Sequence, residues 1–163
     1  MIVLFSECFA MDLDRIDRQL LQALQHDARL TVAELAERVA LSASPCWRRI
    51  KRLEDAGLIQ AYQARLSSEA LGYGVTAFVS VMVGSHSQDA ARAFEARVTE
   101  IPEVIACHNV SGRYDFLLEV VAPDLNTFGE FARNTLQTLP GVKELYSSFS
   151  LKALKTERHL PIP

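Results

Sequence analysis

The spacing of apolar residues changes near residue 74, and that change constrains the fold more than any other feature of the chain. From Asp14 to Gly57 the apolar positions recur every three or four residues, as on helices; over Val75–Val83 they alternate, as on a strand, and helical and strand-like stretches then take turns. A chain with helices alone in its first half and strands mixed with helices in its second is α+β, built as two successive units. With 163 residues and 49% apolar content, each unit can have its own core. The division predicts a first domain over 11–60, a linker over 61–74 and a second domain over 75–157.

The first unit reads as three short helices. Asp14 caps a helix whose apolar stripe is Ile16, Leu20, Leu21 and Leu24, ending at the polar run HDAR. Thr31 with Glu34 three residues later makes a capping box ahead of Leu35, Ala36 and Val39. After a tight connection, Ser44 reads as N-cap and Pro45 as the first residue of the third helix, where a missing N–H costs nothing. Cys46, Ile50 and Leu53 face inward on that helix, and Gly57 ends it. Beyond Gly57, LIQAYQARL is either a strand or an extended connector.

Arg48, Arg49, Lys51 and Arg52 all sit on the third helix, although the formal net charge is −3. Residues 1–66 carry nine Lys/Arg and nine Asp/Glu, so the acidity belongs to the second half, and any attraction to nucleic acid is local. A basic face on the third of three short helices is the plan of a helix-turn-helix, winged-helix-like DNA reader. In that plan Ser42, Ser44 and Pro45 meet phosphates or bases at the helix N-terminus, Arg48 forks onto a guanine edge, and Arg49, Lys51 and Arg52 hold phosphates. Trp47 packs against the first or second helix, with direct base contact as the competing role.

The second half is doubled. A strand from Val75, a helix through DAARAFEARVTE, a strand VIACHNV, the turn SGRYD, a strand FLLEVVA, a helix opening at Asp124 and a last strand VKELYSSFSLKAL follow in order. Both helices run into the same kind of phrase, Ile101-Pro102-Glu103-Val104 and Leu139-Pro140-Gly141-Val142. This is the ferredoxin-like βαββαβ arrangement, with two helices on one sheet face. The other face is bare and partly apolar, which predicts a symmetric homodimer.

From Met11 to Arg158 the chain resembles the Lrp/AsnC family of feast/famine transcription regulators. The run DLDRIDRQLLQALQHDARLTVAELAERVALSASPCWRRIKRLEDAGLIQ is similar to the family's reader domain, and VSGRYDFLLEV to its effector turn. The resemblance implies double-stranded DNA as partner, a small amino acid bound between second domains, and a dimer assembling to an octamer, with no cofactor and no metal. It also places Ser147 and Ser148 near the ligand. Trp47 stands where the family usually has a smaller apolar residue, and Arg113 in a turn that often carries an acid.

The turn's chemistry suits the same ligand. Gly112 permits a positive-φ backbone whose N–H groups hold a carboxylate, and Asp115 offers a countercharge for an ammonium. Arg113 either clamps the carboxylate or pairs with an acidic neighbour across an interface, and Tyr114 lines the side-chain pocket. Gly and Asp are also ordinary turn residues, so the pattern alone is not specific.

Two rival functions share this plan: an enzyme resembling the siroheme decarboxylases, kept open by His108 beside the sheet, and an amino-acid sensor without DNA binding. The histidines are scattered at positions 26, 86, 108 and 159, with no metal-ligand spacing. Cys8, Cys46 and Cys107 share no disulfide pattern and fit reduced thiols in a cytoplasm. The opening run MIVLFSECFA is too short for a membrane span and lacks the basic start of a signal peptide, which makes Met11 the expected natural start.

Overall fold

The computed structural model describes residues 12–84, 88–156 and 159–163. The apolar opening segment, with Cys8 and the proposed start at Met11, lies outside the described residues, as does His86. The chain divides into one unit that runs up to Arg65 and resumes over Thr156–Pro163, and a second over Leu66–Lys155. The last residues thus join the first unit rather than the second. Gln25 holds them there: its side-chain amide donates to the Leu160 carbonyl at 3.1 Å and accepts the Leu160 N–H at 2.7 Å.

Three helices form the first unit: α1 (Arg15–His26), α2 (Val32–Arg38) and α3 (Ala43–Asp55). Local polar chemistry starts the first two. The Asp14 carboxylate accepts the N–H groups of Ile16 at 2.8 Å and Asp17 at 2.9 Å, while Asp17 reaches back to the Asp14 N–H. Thr31 and Glu34 exchange the same pair of bonds ahead of α2. Leu20, Leu24, Leu35, Cys46, Ile50 and Leu53 bury themselves at the centre of the three. A fully buried leucine contributes about 1.5–3 kcal/mol, so this small core is what holds the helices together.

The start of α3 differs from the expectation. Ser42, not Ser44, is the N-cap residue, the helix begins at Ala43, and Pro45 lies at its third position. Proline is tolerated there for the same reason as at the first: no carbonyl precedes it within the helix to accept an N–H. The end is as expected. Gly57 takes φ +71°, Leu58 N–H donates to the Leu53 carbonyl at 3.0 Å, and Gly57 N–H to Glu54 at 2.8 Å, a Schellman closure. Residues 58–74 then form neither helix nor strand, so the connector reading of LIQAYQARL holds.

The second unit orders its elements as β1 (Val75–Val83), α4 (Gln88–Val98), β2 (Val104–Asn109), β3 (Phe116–Ala122), α5 (Leu125–Asn134) and β4 (Val142–Phe149). The antiparallel sheet runs β2-β3-β1-β4, the ferredoxin-like order. The expected single helix from Asp124 to Leu139 is broken: after Asn134 only a 3-10 turn, Leu136–Thr138, continues toward β4. The last strand also stops at Phe149, short of the expected Leu154. Val79, Val81, Leu118, Val120, Phe94 and Phe128 fill the space between sheet and helices. Alternation sends Phe78, Glu119, Tyr146 and Ser148 to the opposite face.

Candidate DNA-reading helix and effector turn

At 3.6 residues per turn, burying Cys46, Ile50 and Leu53 leaves Trp47, Arg48, Lys51 and Arg52 on the outer side of α3. Arg48 is exposed and, among the described residues, has no ion-pair or hydrogen-bond partner. The other three cations are engaged within the chain. Arg49 donates through Nη1 to Asp14 at 2.6 Å and to Asp17 at 2.9 Å, and Arg52 through Nη2 to Asp17 at 2.5 Å. Lys51 pairs with Asp55 at 2.9 Å along the helix. Sequence spacing assigned all three to phosphates; here their first partners are carboxylates of the fold. The Asp17 amide, with Arg49 next to it, holds the Asp14 carboxyl down to about 2.

The N-terminus of α3 is open. The Ser42 side chain makes no capping bond, and Ser42 and Ser44 are both exposed. An uncapped helix start offers free amides and the positive end of the helix dipole to an anion.

Trp47 is 55% exposed. Its side chain lines an open pocket of about 260 Å³ together with Leu24, Leu35 and Ile50. Tyr62 closes another side, donating to Glu54 at 2.9 Å; partial burial and that carboxylate push its phenol up to about 12.

In the second unit, Gly112 takes φ +128°, with open space where a Cβ would stand. Among the described residues the amides of Ser111, Gly112 and Arg113 donate to no carbonyl, which leaves a row of donors for an anion. Asp115 does more than wait for a ligand. Its Oδ2 accepts the Val83 N–H at 2.8 Å, its own N–H donates to the Val81 carbonyl at 2.9 Å, and its carbonyl accepts from Val110 and from the Asn109 side chain. These bonds fasten the turn to the end of β1.

Arg113 pairs with Glu144 at 3.2 Å and lies 5.3 Å from the centre of the Tyr114 ring. The Tyr114 hydroxyl donates to the same Glu144 oxygen at 3.1 Å, and Tyr114 stacks on Tyr146 with centroids 6.3 Å apart. Partial burial first, and Glu144 second, push the Tyr114 phenol up. Arg113 therefore takes its acidic partner within the chain. Glu144 and Tyr146 were not singled out from the sequence, though period-two alternation on β4 puts them on one face. Ser147 stands opposite Val79 and Ser148 opposite Phe78. Ser148 shares the face of Tyr146 and Glu144, whereas Ser147 belongs to the other.

Comparison with known proteins covers both units. Residues 13–60 match the winged helix-turn-helix DNA-binding model and residues 76–160 the Lrp/AsnC ligand-binding domain. The DNA-binding transcriptional activator DecR of Escherichia coli is 41% identical over 92% of this chain and 99% of its own length. The Bkd operon transcriptional regulator of Pseudomonas aeruginosa is 40% identical over 93% and 99%. Among solved structures, the transcriptional regulator NMB0573 of Neisseria meningitidis, in complex with L-methionine, superposes with a TM-score of 0.88 at 45% identity, covering 92% of this chain and 97% of that one.

Proposed function

The chain belongs to the Lrp/AsnC family of DNA-binding transcription regulators, and from that premise we propose that it reads double-stranded DNA through α3 as a homodimer whose affinity or assembly responds to a free amino acid. The observation that carries this reading is the exposed Arg48 on the outer face of α3, without a partner among the described residues and beside an uncapped helix N-terminus. Inserted N-terminus first into a major groove, α3 brings Ser42 and Ser44 to phosphates, with Pro45 beside them, and Arg48 to a base edge, where a bidentate guanine contact discriminates by about 1–3 kcal/mol. Lys51, Arg49 and Arg52 follow along the helix, subject to the carboxylates that already hold them.

The effector reading rests on the turn at Gly112–Asp115: free amides for a carboxylate, Asp115 for an ammonium, Tyr114 for the side chain. The methionine complex of NMB0573 makes L-methionine the first amino acid to test. Pairs of subunits join through the bare sheet face, and dimers associate further toward an octamer, which a ligand at the second unit can favour or oppose only by binding one assembly more tightly. The regulators among the relatives favour this reading over the decarboxylase-like enzyme.

The test is an Arg48→Ala variant titrated against a duplex that the wild-type protein has selected from a randomised pool. At least a tenfold loss of affinity is expected, with helical content and elution volume unchanged. Wild-type affinity in a folded variant would show that α3 does not read bases through Arg48.

A further inference from the structure

Asp17 is the one buried charged residue among those described, with no exposed surface at all. It lies on α1, yet both of its oxygens point at the reader helix: Oδ1 takes Arg49 and Oδ2 takes Arg52. Asp14 adds a second carboxylate on Arg49. Two acids and two guanidiniums make a neutral cluster, and a charge sealed from water is tolerable only while such partners stay in place.

We infer, on the regulator reading above, that Asp17 is a positioning residue for DNA recognition: it withholds Arg49 and Arg52 from the phosphate backbone and so limits sequence-independent affinity. A phosphate competing for either arginine would strip a partner from a carboxylate that water cannot reach. Lys51 is tied to Asp55 in a milder way, in the open. Of four cations on α3 only Arg48 then meets DNA unencumbered, and Arg48 is the one placed to read a base. Two contacts between helices, separated by 32 and 35 residues in the chain, also set the rotation of α3 about its axis. The sequence runs four basic residues in five positions, but the fold converts most of them into braces.

The experiment measures binding of full-length protein to a wild-type-selected duplex and to a scrambled duplex of the same length, each across a range of salt concentrations. Asp17→Asn keeps the shape and removes the charge. It should steepen the log–log salt slope by about 1 per subunit through Arg52, which loses its one carboxylate, and by up to about 2 where Arg49 also leaves Asp14, because each freed arginine that neutralises a phosphate adds about 0.9. Affinity for the scrambled duplex should rise about tenfold at low salt, and the selected-to-scrambled ratio should fall. An unchanged slope with an unchanged ratio in folded Asp17→Asn overturns the inference.

A triple variant, Asp17→Asn with Arg49→Gln and Arg52→Gln, makes the buried acid and both guanidiniums neutral, leaves only the half-exposed Asp14 charged, and serves even if the single variant folds poorly. Its slope should match the wild type, since the removed arginines were not on phosphates. A slope shallower by about 2 per subunit would mean that they are phosphate contacts in the wild type, and the inference falls. Failure of the wild type to select any duplex overturns the regulator reading itself, and it is seen before any variant is made.

Discussion

Asp115 has two demands on one carboxylate. Its Oδ2 closes the end of β1 by accepting the Val83 N–H, while the proposed ligand needs the negative charge. Alanine removes both, so its effects on the turn and on the ligand would be confounded. Asparagine keeps an oxygen for Val83 and loses only the charge. Asp115→Asn should therefore fold as the wild type does and bind L-methionine at least tenfold more weakly, about 1.4 kcal/mol, in calorimetry. Undiminished affinity would remove Asp115 as the ammonium's countercharge. The turn residues Gly112 and Asp115 were legible in the sequence because positive φ and short acidic side chains are local demands. Glu144 was not, because its meeting with Arg113 and Tyr114 depends on strand register across the sheet, 31 and 30 residues away in the chain. The same distance problem hid the Asp17 cluster: spacing along α3 shows four cations, but not what α1 places against them.

At the scale of the element, the turn between α2 and α3 carries a strain that the sequence does not announce. Ala40 takes φ +52°, the one non-glycine positive φ among the described residues, and sits where Leu41 N–H returns to the Ala36 carbonyl at 2.9 Å and Ala40 N–H to Glu37. This is the same closure that Gly57 makes after α3, with an alanine in the left-handed position. A Cβ there costs roughly 1–2 kcal/mol, offset in part by the entropy that glycine loses on folding, about 0.5–1 kcal/mol. Ala40→Gly should stabilise the first unit by up to about 1 kcal/mol in a urea titration, and a loss of stability would show that the alanine methyl contributes packing. Helix starts at Asp14, Thr31 and Asp124 could be read because an N-cap is built from side chain and backbone a few residues apart. The start of α3 could not be fixed that way. Ser42 and Ser44 are both capping types, and Pro45 fits either register because the whole first turn has no internal N–H bonds.

At the scale of the molecule, each unit closes its own core, and the outward face of the sheet has a chemistry that asks for a partner. The outward face of the sheet shows Phe78 at 40% exposure in the middle of β1 and Tyr146 at 57% on β4, two positions away on the same face. Ile105, at the irregular start of β2, is also exposed. Among the described residues helices cover only the other face, so a second copy meeting this one sheet to sheet, as proposed above, would bury these rings on both subunits at once. Such a dimer also carries two reader helices on one body, which lets the second half-site bind as an intramolecular step and raises affinity by about 10²-fold or more. Phe78→Asp puts a charge where two sheets would have to exclude water, without touching the Val79 and Val81 side of the strand. Light scattering should then report a monomer with unchanged far-ultraviolet dichroism, and affinity for the selected duplex should fall by about the same 10². If the variant keeps the wild-type mass, the subunits join elsewhere and the bare face must be covered by something other than its own copy; if it becomes a monomer yet keeps its affinity, the two reader helices do not act together on one site.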